Sequence, residues 1–168
     1  HTACRRQRQM CIRDRIEQGS EIEILVIEEL FKIELNTKTG KKFYLKGKMD
    51  RIQKENGTVS IVDFKTGNVE INKLSFNNND DIISNKKTNA LQLICYSLIY
   101  SLTKKISDPI KAGIISFKHV NSGILFLNNK ISKYESKELF FTEDLKIFEE
   151  LIGTIVEQIY DRNNSFKI

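Results

Sequence analysis

The chain of 168 residues has no long apolar run and no visible internal repeat. No apolar stretch approaches the roughly 20 residues that a membrane-spanning helix needs. The basic N-terminus is not followed by the apolar segment of a secretory signal. We therefore expect no membrane partner and take the cytoplasm as the default location.

Cysteine is also scarce. The chain has three cysteines, and two of them, Cys4 and Cys11, fall within the first fifteen residues. Only Cys95 belongs to the rest of the chain. A single cysteine supports neither a disulfide framework nor a cysteine-based zinc site.

The composition is that of one folded domain. Hydrophobic residues make up 40% of the chain and charged residues 29%, which is ordinary for a globular protein and too apolar for a disordered one. A chain of this length fits one domain and can bury a substantial core.

The positive charge is concentrated at the N-terminus. The formal net charge is +5, of which residues 1–15 carry +4 and the rest of the chain +1. The segment HTACRRQRQMCIRDR has no helical or strand period and resembles translated sequencing-adapter peptides. We interpret residues 1–15 as foreign to the domain and residues 16–168 as a partial domain. The alternative is a basic arm that binds DNA.

A series of strands is predicted first. Residues 23–35 are rich in Ile, Leu and Val, and the context favours a strand over a short helix. The runs FYLKGKMDRIQ and VSIVDFKTG follow, separated by turn residues. Residues 68–87 are polar and without a period, which predicts a mobile loop.

Two helices and a second hairpin are predicted after this loop. Thr88 or Asn89 can cap a helix that ends at Leu102, and Thr142 begins a terminal helix. Between them, AGIISFK and GILFL predict a hairpin. The first helix has an apolar side at Leu91, Ile94, Cys95, Leu98 and Leu102, and the terminal helix one at Leu145, Phe148, Leu151, Ile152, Ile155, Val156 and Ile159. The order of elements predicts an α/β fold, a mixed central sheet flanked by helices.

The dipeptide Asn56-Gly57 between two strand-like runs predicts a type I′ hairpin. In a two-residue hairpin with this turn, Asp50 faces Asp63 across the strands. Two like charges so placed are destabilising unless a positive charge lies between them. Lys65 lies on the same face as Asp63, because side chains alternate along a strand.

Two carboxylates and an ammonium group on one patch indicate a hydrated divalent cation site. Mg²⁺ or Mn²⁺ would bind through Asp50, Asp63 and a substrate phosphate, and Lys65 would stabilise charge on the phosphate. The Asp-x-Lys triplet alone is uninformative, since a chain with this composition contains about one by chance. Exposed salt bridges at Asp63-Lys65 and Lys48-Asp50 are the structural alternative.

The segment LKGKMDRIQKENGTVSIVDFKTG resembles the core motif of the PD-(D/E)xK nuclease superfamily, in the form found in RecB/AddB-like exonucleases. The helix ALQLICYSLIY is similar to the Q-x-x-x-Y helix of that family, with Gln92 and Tyr96 one turn apart. The resemblance implies a restriction-endonuclease-like core and covers roughly residues 23–168. It extends to a D-x-x-x-x-F pattern at Asp161 and Phe166.

The resemblance also implies roles for particular residues. Asp50 and Asp63 would bind the metal, Lys65 would be the catalytic lysine, and Gln92 and Tyr96 would lie beside the active site or the DNA strand. The structural alternatives are a core aromatic for Tyr96 and a solvated helix residue for Gln92. Glu28 matches a position where relatives often carry glutamate. The structural alternative for Glu28 is a solvated charge at a strand edge. Arg51 points away from Asp50 and is interpreted as structural support.

Two parts of the family pattern are missing from this sequence. A helix with a histidine ligand would precede Glu23, and the cysteines of an iron-sulfur cluster would fall near or beyond Ile168. The sequence thus has the pattern of a fragment, and its isolated activity is expected to be weak or absent.

Three functions remain open at this point. The leading hypothesis is a metal-dependent DNA nuclease, working beside a helicase region or subunit in double-strand break repair. The second is a catalytically inactive module that binds DNA or supports a helicase partner. The third is a metal-storage or carbohydrate-binding patch. The sequence supports it with neither an aromatic platform nor a loop rich in ligands.

Overall fold

A computed structural model describes residues 21–84 and 87–161 of the chain. Its main sheet has five strands in the order β1-β2-β3-β5-β6. These are β1 (Ile22–Asn36), β2 (Lys42–Glu55), β3 (Thr58–Lys65), β5 (Ile110–Ser116) and β6 (Leu125–Phe126). The first three are antiparallel neighbours, β5 runs parallel to β3, and β6 runs antiparallel to β5. The predicted mixed sheet is therefore confirmed.

The hairpin between β2 and β3 has the predicted turn. Asn56 and Gly57 both have positive φ, at 48° and 84°, as a type I′ turn requires. The ladder runs from the pair Glu55 and Thr58 to the pair Arg51 and Val62. The predicted register is confirmed over these pairs, but the ladder ends one pair before Asp50 and Asp63.

β1 and β2 share an irregularity at Glu28 and Asp50. Met49 and Ile52 are both fully buried in the same core, although regular alternation would send residues three apart to opposite faces. The partners of these residues on β1 are Glu29 and Val26, and the register does not shift between the two pairs. In both strands, the alternation of buried and exposed side chains is therefore interrupted at the same place, between these two pairs. Glu28 carries the change, with a φ of 53° inside a strand.

Two long helices cover one face of the sheet. α2 (Thr88–Lys104) and α3 (Thr142–Tyr160) begin where the sequence predicts. The predicted side-chain cap of α2 was wrong, since Lys87 takes the N-cap position and no side chain caps the helix there. Leu102 and Ile159 were wrongly placed on the buried stripes, being 43% and 58% exposed.

The segment 68–87 was wrongly predicted as a loop. It holds a 3-10 turn (Ile71–Lys73), strand β4 (Ser75–Phe76) and helix α1 (Asn79–Ser84), while residues 85–86 lie outside the described ranges. β4 pairs with β7 (Asn128–Lys130), which pairs with β8 (Ser136–Lys137), to give a second small sheet. The buried apolar side chains of the segment 68–87 follow no helix or strand period; they are Val69, Leu74, Phe76 and Ile82.

The main sheet has a core on each face. The larger core lies between the sheet and the two long helices, and a smaller one contains Val62, Ile115 and Ile124 with Phe64 and Phe126 at its margin. Along β3, alternate residues reach one core or the other, so Ile61 and Asp63 share the helix-covered face. In the described part of the chain, no helix is long and apolar enough to cross a membrane.

The irregularity at Glu28 predicts that glycine is more stable than a β-branched residue at this position, the reverse of the usual order inside a strand. Because Glu28 has a left-handed backbone, Glu28→Gly should be more stable than Glu28→Val by about 1 to 2 kcal/mol. Both variants lose the same carboxylate, so the difference reports backbone conformation. The measurement is the free energy of unfolding in urea.

The neighbouring exposed residue supplies the matched control. Glu29 has no positive φ, so Glu29→Val should be more stable than Glu29→Gly by about 0.5 to 1 kcal/mol, the usual order inside a strand. The same order at both positions would contradict the left-handed geometry of Glu28.

Candidate active site

Asp63 and Lys65 lie on the helix-covered face at the C-terminal end of β3. The Asp63 side chain is 6% exposed, and the Lys65 ammonium nitrogen lies 3.0 Å from Asp63 Oδ2. Two residues apart on one strand, they meet because alternation brings them to the same side. The predicted pairing of these two groups on one patch is confirmed.

Asp50 approaches β3 through its side chain. Its Oδ2 accepts a hydrogen bond of 2.8 Å from the backbone N–H of Phe64. If the ladder continued beyond Arg51 and Val62, that N–H would face the backbone carbonyl of Met49, because hydrogen-bonded pairs alternate along antiparallel strands. The Asp50 carboxylate has taken the place of a backbone acceptor at the end of the ladder.

Gln92 links the carboxylate and the ammonium group from α2. Its Nε2 donates to Asp63 Oδ1 at 3.2 Å, and its Oε1 accepts from Lys65 Nζ at 2.8 Å. Nε2 also donates to the hydroxyl oxygen of Tyr96 at 2.8 Å. The prediction that Gln92 faces Asp63 and Lys65 is therefore confirmed.

Burial and charge act against each other at Asp63. Burial raises the pKa of this carboxyl group, Lys65 lowers it through a hydrogen bond and its charge, and Asp50 raises it; the resulting pKa lies above the ordinary value. Burial also raises the pKa of Tyr96, with the negative charges of Asp63 and Asp50 adding to the effect. Asp50 Oδ2 lies 2.8 Å from the backbone nitrogen of Phe64, the residue that follows Asp63, so the two acidic residues are neighbours at the end of the ladder.

The residues fit a hydrated divalent cation. Asp63 Oδ2 is buried, and the Lys65 ammonium nitrogen lies 3.0 Å from it as an ion-pair partner. Asp50 offers a second carboxylate. Within residues 21–84 and 87–161 there is no cluster of three or more His, Cys, Asp or Glu that could hold a metal. Two carboxylates, with water and a substrate phosphate, suit Mg²⁺.

Glu28 and Arg51 lie at the margin of the site. Glu28 is at the level of Asp50 on the neighbouring strand, and its Oε2 lies 3.3 Å from Lys48 Nζ. Arg51 is buried on the opposite face from Asp63, with its guanidinium carbon 5.1 Å from the centre of the Phe64 ring. That position agrees with the predicted supporting role of Arg51, whereas a role for Glu28 stays a prediction.

Two features of the site were missed by the sequence analysis. The backbone amide of Phe64 holds Asp50, and no residue type signals a backbone donor. Gly47 lies against the ring of Tyr96, where an added Cβ would come within 2.6 Å of Cε1. Gly47 is the glycine of the G-x-x-D-R-I motif, and its role could have been recognised, because glycine inside a strand is unfavourable without a special reason.

Comparison with known families agrees with this geometry. The family model described as the PD-(D/E)XK nuclease superfamily matches residues 2–166. The chain therefore belongs to this superfamily, whose members generally use divalent metal ions. The same comparison does not distinguish the RecB/AddB-like subfamily. Searches of curated proteins and of solved structures gave no match.

The raised pKa of Asp63 predicts a pH-dependent effect of replacing it. A carboxyl group whose pKa is higher in the folded than in the unfolded state stabilises the fold fully at pH below the unfolded pKa. That contribution is lost as pH rises through the folded pKa. With metal removed by a chelator, the free energy of unfolding of Asp63→Asn minus that of wild type should therefore increase with pH across this window.

The measurement is urea unfolding at a series of pH values from about 3 to 8. Asp108→Asn is the control for loss of a carboxylate at an exposed position. A difference between Asp63→Asn and wild type that shrinks as pH rises would show that Asp63 is stabilised as a carboxylate.

Proposed function

We propose that this member of the PD-(D/E)XK nuclease superfamily hydrolyses DNA phosphodiester bonds with Mg²⁺ or Mn²⁺ held by Asp50 and Asp63. The supporting observation is the convergence of two carboxylates, one ammonium group and one amide at the end of the β2–β3 ladder. A purely structural ion pair between Asp63 and Lys65 would not need a second carboxylate beside it.

Asp50 and Asp63 would hold the metal from adjacent strands. Gln92 donates a hydrogen bond to Oδ1 of Asp63, and Lys65 forms the ion pair with Oδ2, so the two oxygens have separate partners. When bound, a divalent cation would lower the pKa of a water molecule and neutralise phosphate charge. Phe64 fixes Asp50 through its backbone N–H, which limits the rotation of that carboxylate.

Lys65 would stabilise negative charge on the phosphate as it is attacked. Its ammonium group is held between Asp63 and Gln92 and is about one-third exposed, so it can reach a substrate while its position is fixed. A positive group placed in advance where charge develops lowers the barrier without reorganisation during the reaction. Gln92 positions Lys65, and Tyr96 in turn positions Gln92.

A narrower assignment rests on the sequence motifs. The G-x-x-D-R-I and I-V-D-x-K-T-G segments and the Q-x-x-x-Y helix resemble RecB/AddB-like exonucleases. We infer from them an exonuclease that acts with a helicase region or subunit in DNA repair. A catalytically inactive module is the second candidate, and the hydrogen-bonded network around Asp63 favours catalysis over it.

Removing any of three groups should stop cleavage. In a protein that also contains the histidine-bearing helix expected before Glu23, Asp50→Asn, Asp63→Asn and Lys65→Met should each reduce the cleavage of labelled linear DNA in Mg²⁺ by about 100-fold or more. Binding to the same DNA, measured by fluorescence anisotropy in a chelator, should change little, because phosphate contacts elsewhere dominate affinity.

A second Asp-x-Lys triplet provides the control. Asp144, Leu145 and Lys146 lie on α3, where Lys146 is exposed, and Lys146→Met should cleave like wild type. Cleavage that resists EDTA, or that survives in Asp63→Asn, would exclude the two-carboxylate mechanism. If the wild type with that upstream helix binds DNA but never cuts it, the inactive module is favoured.

Lys65 and a cation should compete for the same negative charge. The ammonium group lies 3.0 Å from Asp63 Oδ2, so Lys65→Met should bind Mn²⁺ more tightly, on the order of tenfold, although it cannot cleave. Isothermal titration calorimetry measures this affinity, with Lys146→Met as the control. Weaker Mn²⁺ binding by Lys65→Met would show that Lys65 does not oppose the cation.

A further inference from the structure

We propose that Gly47 is a positioning residue of this site. The absence of a side chain at Gly47 provides the space for the ring of Tyr96, and the Tyr96 hydroxyl then fixes the amide of Gln92 between Asp63 and Lys65. The consequence for catalysis rests on the proposed function, whereas the link from Gly47 to Gln92 can be tested without it.

The contact at Gly47 leaves no room for a methyl group. A Cβ built on Gly47 would lie 2.6 Å from Cε1 and 3.0 Å from Cδ1 of Tyr96, and 3.4 Å from Cδ1 of Ile99. Carbon atoms in contact are normally 3.5 to 4.0 Å apart. Any residue other than glycine must therefore displace the Tyr96 ring.

The backbone of Gly47 does not itself require glycine. Gly47 is absent from the positive-φ glycines and pairs with Phe31 in the ladder between β1 and β2. In the middle of a strand, glycine costs about 0.5 to 1 kcal/mol relative to alanine. The space occupied by Tyr96 is thus the feature of this structure that explains the residue.

The Tyr96 ring cannot easily move away. It packs against the main core, and α2 is held there by the fully buried side chains of Leu93, Leu98 and Ile99. A Cβ at Gly47 would therefore rotate the ring or lift this part of the helix. Both changes move the hydroxyl oxygen that accepts a 2.8 Å hydrogen bond from Gln92.

Loss of that hydrogen bond would release Gln92. The same Nε2 donates to Asp63, and the Oε1 of the same amide accepts from Lys65, so one rotation disturbs both contacts. Lys65 would then keep only its ion pair with Asp63 Oδ2. The expected defect lies in the chemical step more than in substrate binding.

The first measurement is independent of catalysis. The side-chain amide of Gln92, observed by ¹H–¹⁵N NMR of the whole chain, should move toward the positions of free glutamine amides in Gly47→Ala. Gly67→Ala is the matched control, because Gly67 also lacks positive φ and a Cβ there would meet nothing within 4 Å. An unchanged Gln92 amide in Gly47→Ala would overturn the proposal.

The second measurement separates positioning from a structural effect. Gly47→Ala should lower kcat for DNA cleavage by roughly 10- to 100-fold with little change in KM. In a Tyr96→Phe background, which keeps the ring and removes the hydroxyl, Gly47→Ala should have little further effect on kcat. An equal loss of kcat in both backgrounds would show that Gly47 acts by another route, and the proposal would fail.

A third arm covers a variant that does not fold. If Gly47→Ala unfolds the chain, adding Tyr96→Ala should restore folding, because it removes the clashing ring. Failure of that rescue would overturn the proposal. A wild type that cleaves no DNA even with the helix expected before Glu23, together with a Gln92 amide that shifts in Gly47→Ala, would refute the proposed function and leave the positioning role supported.

Discussion

The hydrogen bond from the backbone N–H of Phe64 to the Asp50 carboxylate is the interaction on which the site depends. It ends the pairing of β2 with β3 and replaces a backbone acceptor with a charged one. A charge-assisted hydrogen bond is stronger than the neutral bond it replaces. The sheet therefore loses a ladder position at this point without leaving the Phe64 donor unsatisfied, and one carboxylate is fixed beside another.

The second constraint is the buried charge of Asp63, which must be compensated because an unpaired charge in the interior is costly. Lys65 supplies the charge and Gln92 supplies the hydrogen bond to Oδ1. Compensation is incomplete, since the pKa of Asp63 remains above its ordinary value. A site that is incompletely neutralised without metal retains an electrostatic driving force for binding a cation.

The features of the site that could be predicted are those that follow from local rules. The turn at Asn56-Gly57 needs positive φ, so it sets a register that can be counted outward, and period-2 alternation then relates Asp63 to Lys65. Helix period likewise placed Gln92 and Tyr96 on one side of α2. The small sheet of β4, β7 and β8 could not be predicted, because its strands are two or three residues long and β4 and β7 pair across more than fifty residues of sequence.

The change of face at Glu28 and Asp50 explains why a correct register still gave an incomplete picture of Asp50. Counting residues along β2 to assign their faces assumes unbroken alternation of side chains. A glutamate whose backbone is in the left-handed region inside a strand has no sequence signal that opposes this assumption. The regular elements β3 and α2 carry Asp63, Lys65 and Gln92. The irregular antiparallel pair of β1 and β2 supplies Asp50 and the space at Gly47. Strain and close approach are thus concentrated on one side of the site. Substitutions in β1 and β2 should therefore alter the geometry of the site, whereas substitutions at the site residues of β3 and α2 should remove its chemical groups.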